Sequence, residues 1–74
     1  MWSSGTLEID GVMLTYEVKH FEFGSQYGID EGRISKLSIR IKGKEVLHYE
    51  RGWDLRPKEQ VAKVALAQLL KLYN

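Results

Sequence analysis

Apolar and polar residues alternate along much of this 74-residue chain before residue 52, and that period constrains its fold more than any other feature. A period of two places successive side chains on opposite faces of a β-strand, so each alternating segment predicts a strand with one buried and one solvated face. The first two such segments, Thr6–Ile9 and Val12–Lys19, flank the dipeptide Asp10-Gly11. Because Asp-Gly tolerates the positive φ angles of a type I′ turn, the two segments are predicted to form a hairpin.

A two-residue turn also fixes the register of this hairpin, and therefore which side chains share a face. One face collects Leu7, Ile9, Val12, Leu14, Tyr16 and Val18. The other carries Glu8, Met13, Thr15, Glu17 and Lys19. The first face is predicted to join the core and the second to lie in water.

A second hairpin is predicted from the segments Ile34–Lys42 and Glu45–Arg51, with a tight turn at Gly43. Its face assignment depends on the turn length. A two-residue loop at Gly43-Lys44 leaves Leu47 and Tyr49 on the outer face, whereas a three-residue loop turns them inward. We favour the inward placement, since it buries more apolar area at about 25 cal/mol per Å².

Residues 57–73 are predicted to form a C-terminal helix, linked to the last strand by residues 52–56. Pro57 suits a first helical position because it lacks the N–H that would be unsatisfied there. At 100° per residue one face gathers Val61, Ala62, Ala65, Leu66, Leu69, Leu72 and Tyr73. The predicted fold class is therefore α+β: a two-layer domain in which one helix covers one face of a four-stranded antiparallel sheet (ββββα).

This domain is expected to span residues 1–74, with residues 1–4 flexible and residues 22–33 forming a long glycine-rich loop. The chain has no cysteine, which excludes disulfides and thiolate metal sites. Its net charge of +1 gives no global field that would attract nucleic acid or a membrane. No basic leader and no apolar run of about 20 residues is present, so we expect a cytoplasmic protein with no membrane contact.

Metal binding and catalysis are both disfavoured by the sequence. His20 and Glu22, and likewise His48 and Glu50, share a strand face, but strand residues of this kind are ordinary and no helical His pair supports a zinc site. The serines stand in no recognisable nucleophile motif, and a chain of this size has little room for a closed pocket. We therefore expect no enzymatic activity, no cofactor and no metal.

Two binding hypotheses follow. The first is a protein-interaction module that engages a partner or a second copy of itself through the uncovered sheet face or through the helix flanks Val64 and Leu70. The second is single-stranded nucleic-acid binding, in which basic side chains neutralise phosphates and aromatic rings stack on bases. The candidate binding residues are Lys36, Arg40, Lys42, Arg33, Arg51, Tyr27 and Trp53. Lys19 is a further basic residue that could join them, and Phe21 and Phe23 are further aromatic candidates.

Each hypothesis has a simpler alternative. Glutamates at positions 8, 17, 22 and 45 share the outer surface, which favours a mixed solvated face over a basic stripe. Trp53 follows the last strand, where closing the open end of the core competes with a role as an exposed anchor. The order of four antiparallel strands and one helix resembles that of Whirly-type and transcriptional-coactivator-type single-stranded-DNA-binding domains, a likeness of topology alone.

Several short strings taken together resemble a known family. They are Met1-Trp2 with Gly5-Thr6, residues 25–29, residues 32–37, and residues 49–54. In these strings the chain looks like the small uncharacterised proteins of prophages and mobile elements in Gram-positive bacteria, a domain of unknown function. The resemblance implies a phage-associated accessory protein of the bacterial cytoplasm, and it carries no activity or catalytic residue with it.

Overall fold

The computed structural model describes residues 1–74 and consists of one antiparallel sheet with a C-terminal helix. Its elements are β1 (Trp2–Ile9), β2 (Val12–His20), a short 3-10 turn (Ile29–Glu31), β3 (Ile34–Ile41), β4 (Lys44–Glu50), β5 (Trp53–Leu55) and α1 (Gln60–Tyr73). The strands follow one another across the sheet in chain order, β1-β2-β3-β4-β5. The predicted α+β class is confirmed, but the sheet has five strands rather than four.

The first hairpin has the predicted turn and register. Asp10 and Gly11 adopt φ angles of 51° and 77°, and Ile9 pairs with Val12 and Leu7 with Leu14. The strand is longer than the alternation indicated, because β1 begins at Trp2. Residues 2–4, expected to be flexible, are therefore part of the ladder with β2.

The second hairpin places Leu47 and Tyr49 in the core, as predicted, but neither of the two turn lengths considered for it is the cause. The turn is Lys42-Gly43, with φ angles of 51° and 79°, and Ile41 pairs with Lys44. The register then shifts between Arg40 and Ile39, which pair with Glu45 and Leu47 respectively. Val46 is thus an extra residue, a β-bulge, and it changes the parity of all later residues in β4.

The segment predicted as a linker contains β5, and this displaces the helix. Trp53 pairs with Tyr49, so the chain remains extended at the sheet edge through Leu55. Glu59 is still extended, with φ −80° and ψ 144°, and α1 begins at Gln60. The helix is therefore three residues shorter at its start than predicted, and Pro57 lies in the connection rather than at its first position.

The core lies between α1 and the inner sheet face. Its fully buried side chains include Leu14, Val18, Leu37, Ile39, Leu47 and Leu69. The predicted inward set of the helix is correct except for Leu72, which is 60% exposed. Val64 and Leu70, proposed as free flanks for dimerisation, instead pack against the core.

The glycine-rich loop is pinned to the end of the helix. Asn74 donates from Nδ2 to the Ile29 carbonyl oxygen at 3.0 Å and accepts from the Ile34 N–H at Oδ1 at 2.9 Å. Tyr49 donates its hydroxyl to the Tyr27 carbonyl oxygen at 2.9 Å. Ile29 is buried, so this connection is held at several points and is not slack.

Candidate functional site: the outer sheet face and the β1 edge

The outer face of the sheet is uncovered, and the registers arrange its side chains in rows across the strands. One row runs Trp2, Lys19, Lys36, Glu50. The next row runs Ser4, Glu17, Ser38, His48, and a third runs Thr6, Thr15, Arg40, Glu45. Positive and negative side chains are interspersed, so the face as a whole is a mixed surface.

Arg40 is neutralised by its neighbours on this face. Its guanidinium donates to Glu17 Oε1 at 3.1 Å, and a second nitrogen lies 3.9 Å from Glu45 Oε2. Ser38 Oγ also donates to Glu45 Oε2, at 2.6 Å. Arg40 is therefore committed to an ion-pair network and is not a free phosphate ligand.

The structure does not assemble the remaining predicted basic residues into one stripe. Lys42 lies in the β3–β4 turn, at the opposite end of β3 from Lys36. Arg33 is half-buried and donates from Nε to the main-chain oxygen of Asn74 at 3.4 Å. Arg51 is exposed in the β4–β5 turn with a φ of 59°.

The two predicted aromatic residues have different environments. Trp53 is half-buried on the inner face, where its ring meets Tyr49 edge-on with centroids 5.1 Å apart. The Arg56 guanidinium lies over the Trp53 ring, 5.2 Å from its centroid. Trp53 thus closes the core, whereas the Tyr27 side chain is exposed on the loop.

A group of exposed apolar side chains occurs where β1 begins and β2 ends; the sequence indicated Phe21 and Phe23 but not that Trp2 lies near them. We call it the aromatic corner: Met1, Trp2, Phe21 and Phe23, exposed by 76%, 57%, 47% and 79%. Lys19 lies between two of its rings, with Nζ 6.0 Å from the Trp2 centroid and 5.5 Å from that of Phe21. This corner forms because residues 2–4 pair with β2. It was not predicted, because residues 1–4 were expected to be flexible.

His48 has the closest approach to catalytic geometry on the outer face. Its Nδ1 lies 3.0 Å from Asp54 Oδ2, and its Nε2 lies 3.9 Å from Glu50 Oε1. Ser38 is its cross-strand partner, but the Ser38 hydroxyl donates to Glu45 rather than to the imidazole. A serine is activated by a base that accepts its proton, and here that hydrogen bond goes to a carboxylate outside the His48 pair.

His20 lies at the other side of the sheet from His48, so the two His-x-Glu pairs do not meet. Its ring packs against Tyr73 with centroids 4.8 Å apart, and Nε2 lies 3.0 Å from Ser3 Oγ. Burial, the Met1 amino group and Arg33 lower the pKa of His20 below its ordinary value of 6.5. No group of three or more His, Cys, Asp or Glu side chains has an arrangement that would hold a metal ion.

Tyr16 and Tyr49 connect the sheet to the helix and to the glycine-rich loop through their hydroxyl groups. The hydroxyls of Tyr16 and Tyr73 are 3.1 Å apart, and this hydrogen bond, with burial, raises the pKa of Tyr16 above 10.0. Burial, together with the nearby Asp30 carboxylate, raises the pKa of Tyr49. Both side chains are accounted for by structural contacts.

The free edge of β1 is the second feature of this surface. Met1 and His20 exchange main-chain hydrogen bonds at 2.9 and 3.0 Å, which identifies the odd-numbered residues of β1 as those bonded to β2. The N–H and C=O groups of Trp2, Ser4, Thr6 and Glu8 therefore point away from the sheet. They have no partner within the chain.

The fold and this surface define a small α+β domain with one helix-covered face, one open face and one unprotected edge. The chain belongs to the family described as a domain of unknown function (DUF7678), which matches residues 1–74. Comparison with the curated proteins and with the solved structures found no match. The helix is too short and too polar to cross a membrane.

Proposed function

We propose that this domain is a non-enzymatic interaction module that associates with a second copy of itself through the β1 edge. The observation that supports it is the row of unpartnered main-chain groups at Trp2, Ser4, Thr6 and Glu8. A strand edge of this kind is a template for another strand. Its pairing with β2 shows no register shift, and the strand contains no proline.

A second β1 is the partner that fits this edge along its whole length. Antiparallel pairing about a two-fold axis at Gly5 sets Trp2 opposite Glu8 of the second copy and Ser4 opposite Thr6. The outward-pointing groups of the two strands then face one another. Glu8 is the only charged residue of β1, so the pairing brings no like charges together.

The non-enzymatic part of the proposal is supported by the outer face. The His48 imidazole lies close to two carboxylates, its cross-strand partner Ser38 donates to Glu45, and the groove beside them is open to solvent. Reacting groups need a site that excludes water and aligns a nucleophile with its base. Binding is the activity that an open, mixed surface and a free edge support.

We also propose a setting, which the resemblance in the terminal and loop strings supports: a phage-associated accessory protein in the bacterial cytoplasm. The genes around members of the family test this. Neighbours that encode phage structural or replication proteins are expected, and a set of members among chromosomal housekeeping genes would contradict it.

Sedimentation equilibrium of Thr6→Pro tests the edge directly. The N–H of Thr6 points outward, so proline removes no bond within the monomer but two across a symmetric dimer. At about 1 kcal/mol per hydrogen bond, the dimer dissociation constant should rise about 30-fold.

A matched pair of charge variants provides the control. Thr6→Lys adds an edge lysine and should yield monomer, whereas Thr15→Lys adds the same charge at the neighbouring position of β2 and should not. A wild-type protein that is monomeric at millimolar concentration would refute self-association.

A further inference from the structure

We infer that the aromatic corner and the adjacent lysines form a binding site for single-stranded nucleic acid. The site consists of two rings of that corner, Trp2 and Phe21, and the ammonium groups of Lys19 and Lys36. It uses side chains on the outer side of β1–β3, whereas the proposed self-association uses the outward main-chain groups of β1, so it does not require the dimer even though Trp2 belongs to both.

The pairing of Lys19 with Lys36 is the first observation. These residues are direct cross-strand partners on the same face, an arrangement in which like charges repel. Neither forms an ion pair: the bridges on this face involve Arg40 and His48. Glu50 lies opposite Lys36, but its carboxylate is 3.9 Å from the His48 ring. Two adjacent ammonium groups without a bound carboxylate attract an anion.

The exposed rings are the second observation. Trp2 and Phe21 flank the Lys19 ammonium at 6.0 and 5.5 Å, and more than two fifths of each side chain is in solvent. An aromatic face beside a positive charge suits a ligand with alternating flat bases and phosphates. Each base stacked on such a ring contributes about 1–3 kcal/mol, with little dependence on sequence.

The polar groups beside the rings favour nucleic acid over an anionic membrane surface. A shallow groove next to Trp2 is lined by Glu17, Ser38, His48 and Glu50. Carboxylates and an imidazole can hydrogen-bond to the edges of unpaired bases. The same carboxylates would be costly to bury among the acyl chains of a membrane.

Fluorescence anisotropy with a labelled oligo(dT) of about 15 nucleotides, between about 50 and 200 mM salt, is the test. The double variant Lys19→Gln/Lys36→Gln should flatten the slope of log affinity against log salt by about 1.4, since each phosphate contact contributes about 0.7. Its matched control is Lys42→Gln/Lys44→Gln, which removes the same charge at the far end of β3–β4 and should keep the slope.

Variants of the rings separate stacking from charge. Trp2→Ala should weaken binding about 5- to 150-fold, Trp2→Phe should restore most of the affinity, and Met13→Ala, another exposed apolar side chain of the outer face, should have no effect. Melting curves of each variant confirm folding; loss of one lysine of the repelling pair should not lower the melting temperature.

Absence of binding at about 50 mM salt would overturn the inference. So would equal losses in the Lys42/Lys44 control, or binding to phosphatidylglycerol vesicles without binding to the oligonucleotide. Thr6→Pro distinguishes this inference from the proposed dimer, because it should lose self-association and retain the oligonucleotide.

Discussion

The two edge strands of the sheet each carry a tryptophan, and the two are used in opposite ways. On β5, Trp53 turns inward against Tyr49, and the strand has only three residues before a proline-containing connection. On β1, Trp2 turns outward, and the strand extends for eight residues with its outer main-chain groups free. Short, capped edges prevent pairing and long, plain ones permit it. The comparison separates an edge that closes the fold from an edge that is available for binding.

The largest expected effect contrasts two neighbouring positions of β1. Leu7→Pro removes an N–H that bonds to β2 and disturbs a half-buried side chain at the core, so it should cost about 3 kcal/mol or more. Thr6→Pro, one residue earlier, should leave the free energy of unfolding within about 1 kcal/mol of wild type. Urea denaturation measures both. Equal losses would mean that the outward groups of β1 have partners after all.

The next effect compares the tryptophans themselves. Trp53→Ala should cost about 3 kcal/mol, the low end for a packed tryptophan, because its ring is half-buried against Tyr49. Trp2→Ala should change stability by no more than about 0.5 kcal/mol, since the ring lies on the open face. Thermal unfolding of the two variants tests the distinction. A large loss for Trp2→Ala would place that ring in the core.

The smallest effect concerns pH at the point where β1 meets β2. The pKa of His20 is lowered in the folded domain, so below about pH 6.5 the unfolded chain binds more protons. The contribution of this neutral histidine to stability is complete above pH 6.5 and decreases as pH falls toward the folded pKa. The urea midpoint of unfolding should fall as the pH is lowered from about 7.5 to about 5, roughly the range in which histidine titrates. The variant His20→Gln should flatten that decline. An NMR titration that gives His20 a pKa at or above 6.5 in the folded domain would contradict the predicted direction of this pH dependence.

Local chemistry predicted the first hairpin well, because Asp10-Gly11 and a uniform alternation act together. It predicted the inward placement of Leu47 and Tyr49 from buried area, but not the bulge at Val46 that produces it. A bulge changes the pairing of two strands while leaving the residue pattern of each unaltered. The sequence of one strand alone therefore gives little indication of a bulge.

The binding surface was harder to predict than the fold. Lys36 and Lys19 were both identified as basic residues of the outer face, but only the β2–β3 register shows that they lie directly opposite one another. Arg40 was predicted as a phosphate ligand because its ion-pair partners, Glu17 and Glu45, are not adjacent to it in the sequence. The role of Asn74 was not predicted, because its hydrogen bonds to Ile29 and Ile34 join residues 40 or more positions apart in the sequence.

The extra residue at Val46 makes one particular deletion harmless to the sheet. Removing Val46 would regularise the ladder and keep the two faces of β4, because Glu45 would still pair with Arg40 and Leu47 with Ile39. Tyr49 would turn to solvent, and His48 and Glu50 toward α1, only if the two strands paired regularly with Val46 still present. Homologues that lack the residue at position 46 should therefore keep this fold, and length variation should also be tolerated in the β4–β5 turn, where Gly52 has open space around it.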